Sequence, residues 1–291
     1  MTDLEVKAAG SRPVGVRAAA SGVSGAPAGA RRLLHGLAYV VGPLVFIGVW
    51  EAAGRTGVIG NGLFPPFSKT MVALADWMFG TGDSLYSGQW LAASSASLVR
   101  ILIGFSIGAL AATVLGVLTG RLGWLGNLVD PTINFIRPIS IVAWVPLALV
   151  VFGIGNKPAV FLTALSTFFP VYVATVSGVR YASRGLILAA RMLGASERQL
   201  MRRVILPAAL PSIATGVRVG LGIAWTTVIV AEMLGAKSGL GYTLYDSYQQ
   251  FQTQFVTAAM ISIGILGFLT DRLLILLSRP VLRWTDGADG S

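Results

Sequence analysis

The chain has 291 residues, 54% of them hydrophobic and 12% charged, with a formal net charge of +10 and no cysteine. Soluble globular domains carry about a quarter charged residues, so this composition excludes an ordinary soluble domain and indicates a polytopic, all-α membrane protein. Disulfides and Cys-based metal sites are excluded as well. Because the cations punctuate apolar runs instead of covering one soluble face, they fit positive-inside topology, and no nucleic-acid partner is expected.

In chain order, residues 1–33 are rich in Ala, Gly, Ser and isolated Arg, with no apolar period, and read as a disordered cytoplasmic tail. "ARRLLHG" followed by "LAYVVGPLVFIGVW" imitates a twin-arginine signal. No small-x-small cleavage site follows, so an uncleaved first helix is expected. A helix crossing the hydrocarbon core needs about 20 apolar residues, and about six candidates fill a transmembrane domain over residues 34–284. The first runs from Leu37 to Ala53 and the second from Leu98 to Gly120. The third, Trp124 to Phe152, is interrupted by Pro131, Pro138 and Pro146, which remove backbone donors. Its spanning part is expected at Ile139 to Phe152, after an amphipathic or cytoplasmic piece. The fourth covers Ala159 to Gly178, the fifth Ser212 to Leu234 and the sixth Val256 to Leu277. Residues 285–291 form a short C-terminal tail.

Lys and Arg set the orientation. Arg12, Arg17, Arg31 and Arg32 in the tail, Arg121 and Arg137 after the second span, and Arg180 to Arg203 after the fourth all fall on one side, with Arg279 and Arg283. The opposite side holds Arg55, Lys69, Lys157 and Lys237. Both termini are therefore expected in the cytoplasm of a multi-pass cell-membrane protein. Gly104 and Gly108, Gly116 and Gly120, and Gly216 and Gly220 have small-xxx-small spacing, read as close helix packing within one subunit. Gly220 and Gly222 are also candidates for flexibility in the fifth helix.

Between the fourth and fifth spans, residues 180–207 form the longest cytoplasmic loop. "LAARMLGASERQLMRRVILPAALP" places Arg191, Arg198 and Arg202 on one helical face and Leu193, Leu200 and Val204 on another. Gly194 interrupts the pattern, Ser196 is a candidate N-cap, and Pro207 and Pro211 set the start of the fifth span. The loop reads as a helix, a Gly turn and an amphipathic helix. A basic helix of this kind suits anionic lipid, whereas the small residues Ala189, Ala190, Gly194 and Ala195 permit close approach of a protein partner.

Ala189 and Ala190, then Gly194, then nine residues to Val204, Leu206 and Pro207 resemble the EAA loop of binding-protein-dependent ABC importer permeases. Leu188 departs from the pattern, standing where the family has Glu. "RPISIVAWVPLALVVFGIG", "FFPVYVATVSGVR", "GVRVGLGIAWTTVIVAEMLG" and "SGLGY" resemble the sulfonate, taurine and nitrate branch. The resemblance implies a type I importer permease fold and a coupling helix that docks on a separate ATPase present in two copies. It also implies a solute-binding protein, a permease homodimer in the lipid bilayer, and a small anionic solute. The chain contains no G-x-x-x-x-G-K-[ST]. No cofactor is expected on it, and ATP and Mg are expected on the partner ATPase.

No nucleophile–base set or metal-ligand cluster is legible, and His35 lies at the inner end of the first span, so an intramembrane enzyme is not expected. Ionisable residues in spans are candidates for the substrate path, since charge in hydrocarbon requires a partner or water. Arg218 is deep in the fifth helix, and is read as meeting an anion or pairing with Glu232 of another subunit. Arg100 is expected to snorkel to the outer interface. Glu51 and the Asp271–Arg272 pair lie near helix ends. Trp144, beside Pro146 in the broken third span, is a candidate wall of a cavity. The competing reading is a self-sufficient secondary carrier or channel.

Overall fold

The computed structural model describes residues 28–57, 63–182 and 184–282, and among these no strand occurs. The expected terminal tails lie mostly or wholly outside the described residues. The chain divides into a unit ending at Val49 and a second beginning at Trp50. Helix α1, Ala28–Thr56, starts in the first unit. The expected first span falls within it, and the side chains of that span's first residues are among those not described.

In the second unit, α2 (Phe67–Phe79) precedes α3 (Trp90–Arg121) and α4 (Gly123–Ile136). A 3-10 turn, Ile141–Trp144, leads into α5 (Val145–Phe152), followed by α6 (Asn156–Arg180). The short helices α7 (Arg184–Met192) and α8 (Glu197–Leu200) come next, and a π turn, Met201–Ile205, joins α8 to α9 (Leu206–Gly235). Helices α10 (Leu240–Gln249) and α11 (Thr253–Leu282) complete the described fold.

Four helices among the described residues are long and apolar enough to cross a membrane: α3, α6, α9 with the turn before it, and α11. They coincide with the second, fourth, fifth and sixth expected spans and extend them at both ends. The third span differs from expectation. Helix α4 and the Ile141–Phe152 segment meet at 89°. Pro138 lies at the bend, where it has no N–H with which to continue the α4 hydrogen-bond ladder, although Arg137 before it keeps helical dihedrals. Pro131 remains inside α4, and Pro146 occupies the first turn of α5, where a missing N–H costs nothing. The part after the bend is only roughly 20 Å long at 1.5–2 Å per residue, too short to span about 30 Å of hydrocarbon alone.

Apolar burial gives helices little reason to associate in lipid, so close backbone approach must substitute. Helix α6 is the most buried of the four long helices. On one flank, Gly104 abuts Thr163 and the Val160 carbonyl, Gly108 the Ala164 carbonyl, Gly116 Thr175, and Gly120 Val179. On the other, Gly178 meets Ala209 and Ser212 of α9, and Gly216 and Gly220 meet Ala174, Thr167 and Val171. The small-residue spacing is intrasubunit packing. Gly220 is part of that contact, whereas nothing approaches Gly222.

Gly108→Leu places a side chain into the Ala164 carbonyl and should cost about 1–3 kcal/mol or more by overpacking. Its melting temperature in detergent should fall clearly below that of Gly264→Ala, a site with open space around its Cα. Equal melting temperatures would contradict the close approach of α3 and α6.

Candidate functional site

Helix α9 runs between two ends of the bundle, named here for Gly194 and Gly239. At the Gly194 end, α7 stops where Gly194 takes φ +76°, a left-handed conformation that side chains rarely adopt. Its N–H donates to the Arg191 carbonyl, and Ala195 N–H to the Ala190 carbonyl. Ser196 then caps α8. Its hydroxyl accepts from Gln199 N–H while the Gln199 side chain accepts from Ser196 N–H, a reciprocal capping box. The helix, Gly turn and second helix expected from sequence are all present.

The apolar stripe read through Leu193, Leu200 and Val204 does not survive the turn, because Gly194 resets the helical phase. Leu200 and Ile205 are buried with Val179 and Ala209, while Leu193 is 88% exposed and Met192 also projects outward. Ala189 and Gly194 are exposed, and Ala190, Ala195, Val204, Leu206 and Pro207 are half-buried. Glu197 holds this tip to the bundle. It accepts from Arg121 at the end of α3 (2.5 Å) and from Arg191 of α7 (3.1 Å). Leu188 is itself exposed, so the anchoring acid of the loop is Glu197, which sequence reasoning did not single out.

At the Gly239 end, Arg100 and Glu232 correct the sequence reading. Arg100 does not snorkel: it is 3% exposed, and Glu232 is 0% exposed. Arg100 Nη1 donates to Glu232 Oε1 at 2.5 Å and to the Ser238 carbonyl at 2.7 Å. Its Nε and Nη2 donate to Asn156 Oδ1, and Nη2 also to Ser238 Oγ. Glu232 Oε2 accepts from Ser97 Oγ and Gly241 N–H. Gly239, at φ +123°, passes so close that a Cβ there would lie 2.5 Å from the Glu232 carboxyl group. This saturated cluster joins α3, α6, α9 and α10. A pair so enclosed presents almost no surface in this structure, and the carboxylate of Glu232 is taken up by Arg100, Ser97 and the Gly241 N–H.

Arg218 instead pairs with Asp271 of α11, with Nε to Oδ1 at 2.8 Å and Nη2 to Oδ2 at 3.0 Å. Trp144 packs against the larger apolar core, and its indole N–H is buried without a partner. A crevice between α5 and α9 is lined by Ser140, Ile141, Val145, Thr226 and Thr227, and not by Trp144. Glu51 accepts from Arg55 and from Ser68, and Arg272 lies 5.0 Å above the Phe268 ring.

Asp76 organises a loop after α2. Its carboxylate accepts from Ser84 Oγ, Ser87 Oγ and Gly82 N–H. These bonds, led by the Ser84 hydroxyl and then the Ser87 hydroxyl, hold its pKa below the ordinary value despite an opposing desolvation.

A family profile described as "Binding-protein-dependent transport system inner membrane component" matches residues 104–283. The chain belongs to this family. Among its relatives, the putative aliphatic sulfonates transport permease protein SsuC of Escherichia coli (strain K12) is 40% identical over 242 residues, covering 83% of this chain and 89% of the relative. The bicarbonate transport system permease protein CmpB of Synechococcus elongatus is 32% identical over 284 residues, 97% of this chain and 99% of that one. Among solved structures, an inward-facing MetNI methionine ABC transporter chain is 26% identical, with a TM-score of 0.50 over 64% of this chain and 91% of its own. The permease is thus the membrane-spanning component of an ABC import system. Its sequence resemblance and its type I importer fold agree.

Within the permease, Glu232→Ala leaves Arg100 buried and unpaired and should cost about 3–5 kcal/mol, read as lost yield and a lowered melting temperature in detergent. Arg100→Met with Glu232→Leu should recover much of that loss; no recovery would mean the pair is not the coupled element. For Asp76, the depressed pKa means its bonds contribute stability above the unfolded value, near 3.9, and lose it as pH falls through the folded value. Asp76→Asn should therefore speed proteolysis of the loop at pH 7, with the difference from wild type vanishing at low pH. A difference that persists at low pH would contradict the ionised role.

Proposed function

We propose that this permease forms the membrane path of an ATP-driven importer for a small anion. Two copies enclose the path, an ATPase docks at the Gly194 end, and a solute-binding protein delivers solute at the Gly239 end. Sulfonates, taurine and nitrate are the solute classes favoured by the sequence resemblance. The relatives named for aliphatic sulfonates and bicarbonate support a small anion. The chain carries no cofactor of its own; ATP and Mg reside on the ATPase subunits.

The observation that carries this reading is the tip at Met192, Leu193 and Gly194. Exposed apolar side chains there project from a turn fixed by a left-handed glycine, a capping box and two ion pairs to Glu197. Exposed leucine on a rigid protrusion suits insertion into a groove of a partner better than a solvated loop. Arg180, Arg191, Arg198, Arg202 and Arg203 cluster at this end, which the positive-inside rule assigns to the cytoplasm. The termini are then cytoplasmic, and the membrane is the inner, cytoplasmic one.

Leu193→Asp removes docking without burying a charge in the fold. In the reconstituted complex it should lower ATPase retention and ATP-driven uptake by about tenfold or more, equivalent to about 1.4 kcal/mol of docking per tenfold. The melting temperature of the isolated permease should not change. Gly194→Glu, which also forces a side chain into a left-handed site, should uncouple ATP hydrolysis from uptake while leaving membrane insertion intact. Normal uptake in both variants, or uptake by the permease alone driven by an ion gradient, would overturn the proposal.

A further inference from the structure

Helix α9 exposes a polar stripe near its middle, flanked by the exposed side chains of Val219 and Ile223. Thr215, Arg218, Gly222 and Thr226 are all exposed and, separated by three, four and four residues, lie along one helical face. The large exposed side chains of α3, among them Leu102, Ile103, Ile107 and Leu110, are apolar, and α11 exposes Phe268, Leu269, Leu273 and Leu276 around Arg272; apart from Arg272 these are surfaces that lipid accepts. The α9 stripe includes a guanidinium near the middle of a 30-residue helix, a depth at which contact with hydrocarbon is costly.

The Arg218–Asp271 pair has one open edge. Asp271 takes Nε and Nη2 of the guanidinium, and the side chain of Arg218 remains 57% exposed. Nη1, with its two N–H donors, has no protein acceptor among the described residues. Together with the second N–H of Nη2 it forms an end-on fork of the kind that matches two oxygens of a planar or tetrahedral oxyanion. A crevice of about 440 Å³ between α9 and α11, lined in part by Thr215, Arg218 and Ser278, opens beside it. Asp271 offsets the charge of Arg218, so an anion at this fork is held weakly, as passage requires.

We propose that the Thr215–Arg218–Gly222–Thr226 face is the water-lined wall of the translocation path, and that Arg218, oriented by Asp271, offers its free edge to the passing oxyanion. This deepens the importer reading and rests on it for the nature of the cargo, but not for the wetting of the wall.

The chain has no cysteine, so one introduced thiol reports one position. Nothing lies near a Cβ added at Gly222, so Gly222→Cys is tolerated sterically. In the assembled transporter in membranes, Gly222→Cys and Thr226→Cys should react with charged, membrane-impermeant thiosulfonates, and Leu110→Cys on α3 should not. The informative quantity is the ratio of the rates with an anionic and a cationic reagent, because thiolate fraction and access largely cancel in it. Adding Arg218→Gln to Gly222→Cys should lower that ratio roughly tenfold, and Asp271→Asn should raise it. If Arg218→Gln fails to insert because Asp271 is left alone, Arg218→Gln with Asp271→Asn should lower the ratio below that of Asp271→Asn by itself. Thiols on the stripe that are inert to both reagents, or that instead form disulfides between copies in a dry interface, would overturn the proposal. So would a ratio indifferent to Arg218. None of these readouts uses a solute, so a failed uptake assay with the ratios intact would count against the importer reading alone.

Discussion

A charge buried inside a protein must have a partner, and that requirement organises the Gly239 end. Arg100 and Glu232 are separated by 132 positions and meet with both side chains essentially inaccessible. The desolvation cost of such a pair roughly offsets its mutual attraction, so its net contribution to stability is small. Its effect is on specificity. Once one ion is buried, every arrangement that leaves it unpaired is strongly disfavoured, and the remaining donors and acceptors must also be met. Asn156, Ser97, Ser238 and the Gly241 N–H meet them. The cluster therefore fixes how α10 sits over the ends of α3, α6 and α9. The glycines of Ser238-Gly239-Leu240-Gly241-Tyr242 are there because the backbone must pass against Glu232.

The rest of the bundle follows a different rule. Without a hydrophobic gain to drive association, α3, α6 and α9 are held by backbones brought close enough for dispersion contacts at each glycine. Such packing tolerates little sliding, because carbonyls and β-branched side chains fill the space each glycine leaves. The three helices thus behave as one body, locked at the Gly239 end by an ion pair and anchored to the tip at the Gly194 end through Glu197.

Much of this was legible in the sequence, where the signal was local. Apolar length gave four spans, glycine spacing gave intrasubunit packing, and Gly194, Ser196 and Pro207 gave the helix, turn and cap of the tip. Local periodicity carries no record of which distant residue an ion meets. Arg100 accordingly read as a snorkelling side chain, and Arg218 was not matched with Asp271. The short helices α2 and α10 were missed because their polar faces, with Asp76 and Asp246, dilute the apolar period. The three prolines of the third span marked an irregular region, but the bend falls at Pro138 alone. A proline in a first turn or in a helix whose donor loss is tolerated does not break the helix, and position relative to the turn is a tertiary outcome.

Helix α9 connects all of these features. It begins beside the tip at Leu206, presents Arg218 near its middle and ends in the cluster through Glu232. A displacement of the tip that reached Arg218 by local unwinding would have to break contacts at Gly178, Gly216 and Gly220, which the packing resists. The backbone irregularity next to α9 is the π turn Met201–Ile205, a wide turn of the rare kind found frequently at functional sites. Tip motion is therefore either absorbed at that turn or transmitted along α9 as a rigid rotation. Leu200 just before the turn and Ile205 at its end are both buried, which couples the turn to the bundle and favours transmission. The same rotation would turn the Thr215–Thr226 face relative to α11, and with it the geometry of the Arg218–Asp271 pair.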